Sequence, residues 1–156
     1  MISGLQICRA ESGDFAAVHA LLQAAHLVTE DLDRELHDYF VALREGEVVG
    51  AVGLEPHGTV GLLRSLVVAP QLAGRGLGRA LVRQQIEDAE VRGFTELFLL
   101  TRTASAFFAK LGFATIDRGS VPDAIQQTAE YAKHCPDTAS VMRLALGAVR
   151  HEPRVI

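Results

Sequence analysis

Apolar and polar residues change period several times along this chain, and each change marks an element. Leu5 and Ile7 alternate with polar neighbours as a short strand does; beyond Ser12 and Asp14, either of which can cap a helix, Phe15, Val18, Leu21 and Leu22 recur at helical spacing. The stretch from His26 to Asp33 follows neither period. Tyr39 to Leu43 and Val48 to Leu54 read as two strands of a hairpin around Glu45-Gly46, Pro56 to Thr59 predicts a further turn, and Gly61 to Val68 a third consecutive strand. Leu77, Leu81, Val82 and Ile86 then place an amphipathic helix after Gly74 to Gly78, ending near Gly93. The unbroken apolar run Leu97 to Leu100 suits a strand buried on both faces. A short helical segment, Ala104 to Lys110, and a strand opening at Phe113 follow. Pro122 at a first helical turn starts a helix over Asp123 to Lys133, and Ser140 to Leu144 alternates as the last strand.

Consecutive hairpins joined to one strand-helix-strand crossover predict an α/β (α+β) fold, a mixed, mostly antiparallel twisted sheet of six to seven strands with helices on both faces. Residues 1–146 are expected to form one domain and residues 147–156 a tail that loses its period. A length of 156 residues with 49% apolar content is enough for one core without staples. Fifteen Lys and Arg against nineteen Asp and Glu leave a net charge of -4, so no basic surface points to nucleic acid. No apolar run reaches the roughly 20 residues that cross a bilayer, and the first residues lack an apolar signal segment, so no membrane and a cytoplasmic location are expected. Cys8 and Cys135 are expected to be reduced. His134-Cys135 has no matching pair elsewhere, so no metal is expected.

The most informative residues are Gln71-Leu72-Ala73-Gly74-Arg75-Gly76-Leu77-Gly78-Arg79, where a strand gives way to a glycine-rich turn and a helix. A helix start presents N–H groups without intrahelical partners and a partial positive charge, and glycine lets a diphosphate approach the main chain. The dipole alone contributes about 0.3–1 kcal/mol at an exposed end, so several N–H bonds and the guanidinium groups of Arg75 and Arg79 are needed together. A dinucleotide fingerprint starting at Gly74 would need glycine at Arg79, and a Walker loop would need G-K followed by Ser or Thr; neither is present. A plain strand-to-helix turn is the bland alternative, but it has no use for two arginines set among three glycines.

Gln71 to Gly76 meets the pattern Q/R-x-x-G-x-G/A, and Phe107-Phe108-Ala109-Lys110-Leu111-Gly112-Phe113 is similar to F-Y-x-K-x-G-F. On these motifs the chain resembles the GNAT superfamily of acetyl-CoA-dependent N-acetyltransferases over almost its whole length. Val52-Gly53-Leu54-Glu55-Pro56, Leu62-Leu63-Arg64-Ser65-Leu66 and Cys135-Pro136-Asp137-Thr138-Ala139 look most like its small arsenic-resistance N-acetyltransferases. The resemblance implies that Leu66, Val67 and Val68 hydrogen-bond the pantetheine arm of acetyl-CoA through their main chain, where this strand splays from Leu97 to Leu100. It further implies that Gly74, Arg75, Gly76, Leu77, Gly78 and Arg79 take the diphosphate, and that Phe107 and Phe108 pack near the arm; both also read as plain core aromatics, Phe107 above all. Many members carry tyrosine where Phe108 stands, as donor to the departing thiolate, and some carry a glutamate in the fifth strand, where this chain has Leu99 or Leu100.

Acetyl transfer to an amine needs a neutral nitrogen, and an α-amino group with pKa of about 7.7–8.0 is readily deprotonated by a carboxylate or a water chain. Direct attack on the thioester requires no covalent enzyme intermediate, and a main-chain N–H such as that of Val67 or Val68 suits the oxyanion. Glu55, at the end of its strand, is the preferred base. Arg64, among Leu62, Leu63, Leu66 and Val67, must find an anion: it is either a structural partner of Glu55 or a planar fork for an acceptor carboxylate. Asp31, like Asp33, can hold an ammonium or merely cap a turn, and His57 is read as solvent-facing. The expected partner is a small-molecule amine, amino-acid-like or organoarsenical; a homodimer stays open. A protein N-acetyltransferase and a catalytically silent acetyl-CoA-binding sensor are the alternatives.

Overall fold

The structure, a computed structural model, describes residues 4–133 and 139–147. In chain order its elements are β1 (Leu5–Arg9), α1 (Phe15–Ala24), β2 (Tyr39–Arg44), β3 (Glu47–His57), β4 (Val60–Val68), α2 (Leu77–Val91), β5 (Glu96–Thr101), α3 (Ser105–Ala109), β6 (Ala114–Ile116), α4 (Asp123–Gln126), α5 (Ala129–Lys133) and β7 (Ser140–Ala145). The strands form a seven-stranded sheet ordered β1-β2-β3-β4-β5-β7-β6, mostly antiparallel, with β4 and β5 parallel across the α2 crossover. This is the mixed sheet that the hairpins and the single crossover predict. No helix among the described residues is long and apolar enough to cross a membrane.

The chain divides into two compact units, one built from residues up to Leu54 together with Arg64–Ile86, the other from Glu55–Leu63 and the residues from Glu87 onward. In the first, β2 pairs antiparallel with β1 and β3, with a register shift between Ala42 and Leu43. Its core joins Val18 and Leu22 of α1 to Leu32, Leu36, Tyr39, Val41, Ala51 and Val67. Each fully buried aliphatic side chain of this kind contributes about 1.5–3 kcal/mol. On α2, Leu77, Leu81, Val82, Gln85 and Ala89 form the buried stripe, while Val91 on the other side is 81% exposed. In the second unit β4 pairs with β5 over Val60–Leu62, β7 pairs antiparallel with β5 and β6, and Leu62, Phe98, Leu100, Val121, Ile125 and Val141 make the core.

Three expectations about elements are corrected. Pro56 does not begin a turn: β3 runs on to His57, and the chain turns at Gly58 and Thr59. Neither Ser12 nor Asp14 caps α1 through its side chain; Asp14 Oδ2 accepts the Glu11 N–H at 2.9 Å, closing a short 3-10 turn over Ser12–Asp14. The helix expected over Asp123 to Lys133 is two helices, because Thr128 Oγ1 donates to the Ile125 carbonyl at 2.8 Å and accepts the Tyr131 N–H at 3.1 Å, ending α4 and capping α5. His134 and Cys135 lie outside the described residues, as does the expected tail beyond Gly147.

Candidate active site

The loop before α2 owes its shape to its glycines. Gly74 and Gly76 hold φ of 79° and 87°, where an L side chain is strained, and a Cβ on either would meet nothing within 4 Å. Their backbone therefore lies open. Leu72 and Leu77 are the buried residues of the motif, Leu77 seating the first turn of α2, and Arg75 and Arg79 are exposed beside it. The Ala80 N–H bonds the Gly76 carbonyl at 3.1 Å, so regular helical bonding begins there. Among the described residues no group of the chain takes the N–H of Gly74, Arg75, Gly76, Leu77 or Gly78. A run of N–H groups without an acceptor in the described chain, with two exposed guanidinium groups at a helix start, is an arrangement that can take a diphosphate.

On β4, just before the loop, Ser65 has φ of 61°, a left-handed conformation that a residue with a side chain rarely adopts. Its hydroxyl is held twice, by the Tyr39 hydroxyl at 2.9 Å and by Arg64 Nε at 3.1 Å. Leu66 and Val68 are half-buried and Val67 is buried in the core of the first unit. The Val67 side chain is thus occupied with packing, which leaves its main chain as what it can offer a ligand.

Arg64 and Asp31, expected at opposite ends of an acceptor, are bonded to each other. Arg64 Nη1 donates to Asp31 Oδ2 at 2.7 Å and Nη2 to Oδ1 at 2.8 Å, a parallel two-bond pair, and Nη2 also reaches the Val28 carbonyl at 3.4 Å. The guanidinium is almost fully buried, while the Asp31 side chain is 34% exposed. Hydrogen bonding by Arg64, with its charge, holds the Asp31 carboxyl below the usual carboxylate range against the opposing effect of burial. Asp31 is accordingly an ionised carboxylate, held through both oxygens by Arg64 and partly exposed.

Glu55 lies inside β3, two residues before its end, and its Oε2 is 3.1 Å from His57 Nε2. Residues two apart on a strand share a face, so a carboxylate and an imidazole stand together there. His57 is half-buried beside Glu55, not solvent-facing. Phe108, within α3, is the buried aromatic of its pair, edge-on to Phe107 at 5.0 Å and to Phe113 at 5.7 Å; Phe107 is the half-buried one, the reverse of the expected order. Among the described residues no three His, Cys, Asp or Glu side chains come together as a metal requires. Cys8 is a free thiol, and burial with nearby Asp14 and Glu11 pushes its pKa up, so it stays protonated.

Comparison with known proteins adds a family. Residues 6–113 match the model described as acetyltransferase (GNAT) family. An uncharacterized N-acetyltransferase of Chlorobaculum tepidum is 29% identical over 119 residues, 75% of this chain and 74% of that protein. An amino-acid acetyltransferase of Neisseria meningitidis is 26% identical over 128 residues, 76% of this chain but 29% of that protein. Among solved structures, N-acetylglutamate synthase from Neisseria gonorrhoeae, complexed with coenzyme A and N-acetyl-glutamate, superposes with a TM-score of 0.79 at 22% identity, covering 94% of this chain and 36% of that one. The chain thus spans about a third of the length of these two larger relatives.

Proposed function

The chain belongs to the acetyltransferase (GNAT) family, and from that premise we propose that it transfers the acetyl group of acetyl-CoA directly to the primary amine of a small, amino-acid-like acceptor. The observation that carries the proposal is the loop Gly74 to Gly78, where left-handed Gly74 and Gly76 go with a run of N–H groups that have no acceptor among the described residues at the start of α2. Acetyl-CoA supplies an activated acetyl group as co-substrate. In this reading Gly74 to Arg79 hold its diphosphate, the main chain of Leu66, Val67 and Val68 holds the pantetheine arm, and Phe107 lies alongside.

Asp31 meets the acceptor's ammonium, and Arg64 acts on the acceptor side through Asp31, keeping that carboxylate ionised and aimed. Glu55, steadied by His57, takes the proton that frees the attacking nitrogen. No phenol stands at position 108, and a thiol pKa of about 8.5 makes the thiolate a tolerable leaving group near neutral pH. The acceptor class is supported by the likeness to an amino-acid acetyltransferase. The narrower reading, an acceptor that is an organoarsenical amino-acid analogue and a role in arsenic resistance, rests on the likeness of Val52–Pro56 and Leu62–Leu66; a cytoplasmic location goes with the use of acetyl-CoA.

The test is thiol release from acetyl-CoA across a panel of amino acids and their phosphinic and arsinic analogues, together with calorimetry of coenzyme A. Binding with turnover on an amino-acid-like amine is the expected result. Binding without turnover on any amine favours the second reading, an acetyl-CoA sensor, which Phe108 motivates; no heat with coenzyme A overturns both.

A further inference from the structure

We propose that Gln85 is a positioning residue for the acceptor side of this site, retained at a cost to stability; the inference rests on the acetyl-transfer reading above. Gln85 is on α2, and none of its side chain reaches solvent. Its Nε2 donates to the Asp38 carbonyl at 2.9 Å and to the Val52 carbonyl at 3.4 Å. Its Oε1 is buried and, among the described residues, has no donor. An orphan acceptor of this kind is unfavourable, and an apolar side chain of the same length would fill the space without it.

The amide holds a strained residue. Asp38 has φ of 65°, and its carbonyl accepts the Leu54 N–H at 3.1 Å as well as the Gln85 amide. From Asp38 the chain passes straight to Tyr39, whose hydroxyl meets Ser65; the Ser65 oxygen takes Arg64 Nε, and the Arg64 fork aims Asp31. The irregular segment between α1 and β2 is therefore gripped at two points, by Arg64 at Val28 and Asp31 and by Gln85 at Asp38. The same helix that opens on the phosphate cradle thereby sets the backbone from which the acceptor's carboxylate contact is presented.

Gln85→Met, close in volume, removes both donors and the orphan together, and leaves Asp38 its bond from Leu54. With the full chain, the expected result is an unchanged or higher melting temperature and an unchanged affinity for coenzyme A. Amide exchange across residues 26–38 is expected to quicken about tenfold or more, and the acceptor KM to rise by a similar factor with kcat little changed. Adding Asp38→Gly, which reaches a positive φ without strain, should bring the acceptor KM most of the way back. A Gln85→Met chain that unfolds, or one with exchange at 26–38 and acceptor KM both unchanged, overturns the proposal. Exchange is read without any acceptor, so a lack of turnover in the unsubstituted chain counts against the acetyl-transfer reading and leaves the exchange result to decide on Gln85.

Discussion

Tyr39 and Gly53 face each other across β2 and β3, and the tyrosine ring lies where a side chain at Gly53 would stand: a Cβ there would be 2.5 Å from Cε2 and 2.7 Å from Cε1. Only hydrogen leaves room for a ring whose hydroxyl must reach Ser65. Gly53→Ala should push the ring away, break the 2.9 Å Tyr39–Ser65 bond and cost about 1–3 kcal/mol in urea unfolding, as overpacking does. Tyr39→Phe keeps the ring and should cost less than Gly53→Ala.

The Arg64–Asp31 pair sets a pH dependence with a definite sign. The folded Asp31 pKa is lowered, chiefly by the hydrogen bond from Arg64, so its contribution is fully present above the unfolded carboxyl value of about 3.9 and is lost as pH falls through the folded value. Asp31→Ala at pH 7 takes the two-bond carboxylate from a buried guanidinium and should cost about 2–3 kcal/mol, less than a fully enclosed pair because Asp31 is partly solvated. Urea titrations of both chains should show that deficit at pH 7 and see it shrink in acid below pH 4; a deficit that grows as the pH falls reverses the argument.

For the cradle, Gly76→Ala forces a side chain into a left-handed conformation at roughly 1–2 kcal/mol. The loop is expected to relax toward negative φ and turn its N–H groups away, with coenzyme A affinity falling at least tenfold by calorimetry while the melting temperature drops only a few degrees. Arg75→Ala and Arg79→Ala should each weaken binding less, and more at low salt than at high.

Glu55→Gln keeps the shape of the side chain and its contact with His57 but cannot accept a proton. We expect kcat for acetyl transfer to fall by about 10²-fold or more, with coenzyme A affinity unchanged. Unaltered turnover and pH profile would remove Glu55 from the reaction and leave it a structural partner of His57.

The open glycine turn before α2 was legible from sequence because its cause is local: the left-handed φ of Gly74 and Gly76 is a property of those residues alone; that it holds a diphosphate is the proposal the Gly76 variant tests. The succession of strands and helices along the chain followed from period changes for the same reason, whereas the place of β7 between β5 and β6 did not. What sequence could not show depends on partners far apart in the chain. Arg64 needed an anion, but a carboxylate 33 residues away in an aperiodic segment carries no signal that singles it out from Asp33 or Glu55. The Glu55–His57 pair was obscured by Pro56, which reads as a turn yet sits in an extended strand. Ser65 and Gln85 look unremarkable in sequence, one a strand residue and one a helix residue; only the fold shows that the first is left-handed and the second sealed inside.

Because Gly74 and Gly76 already stand in their left-handed conformations, the ordering entropy of the cradle is met when the protein folds and not when an anion arrives. On the proposed reading, capture of coenzyme A is collision with a finished receptor, its speed set by diffusion and by the pull of Arg75 and Arg79, so that tuning falls on how fast the coenzyme leaves.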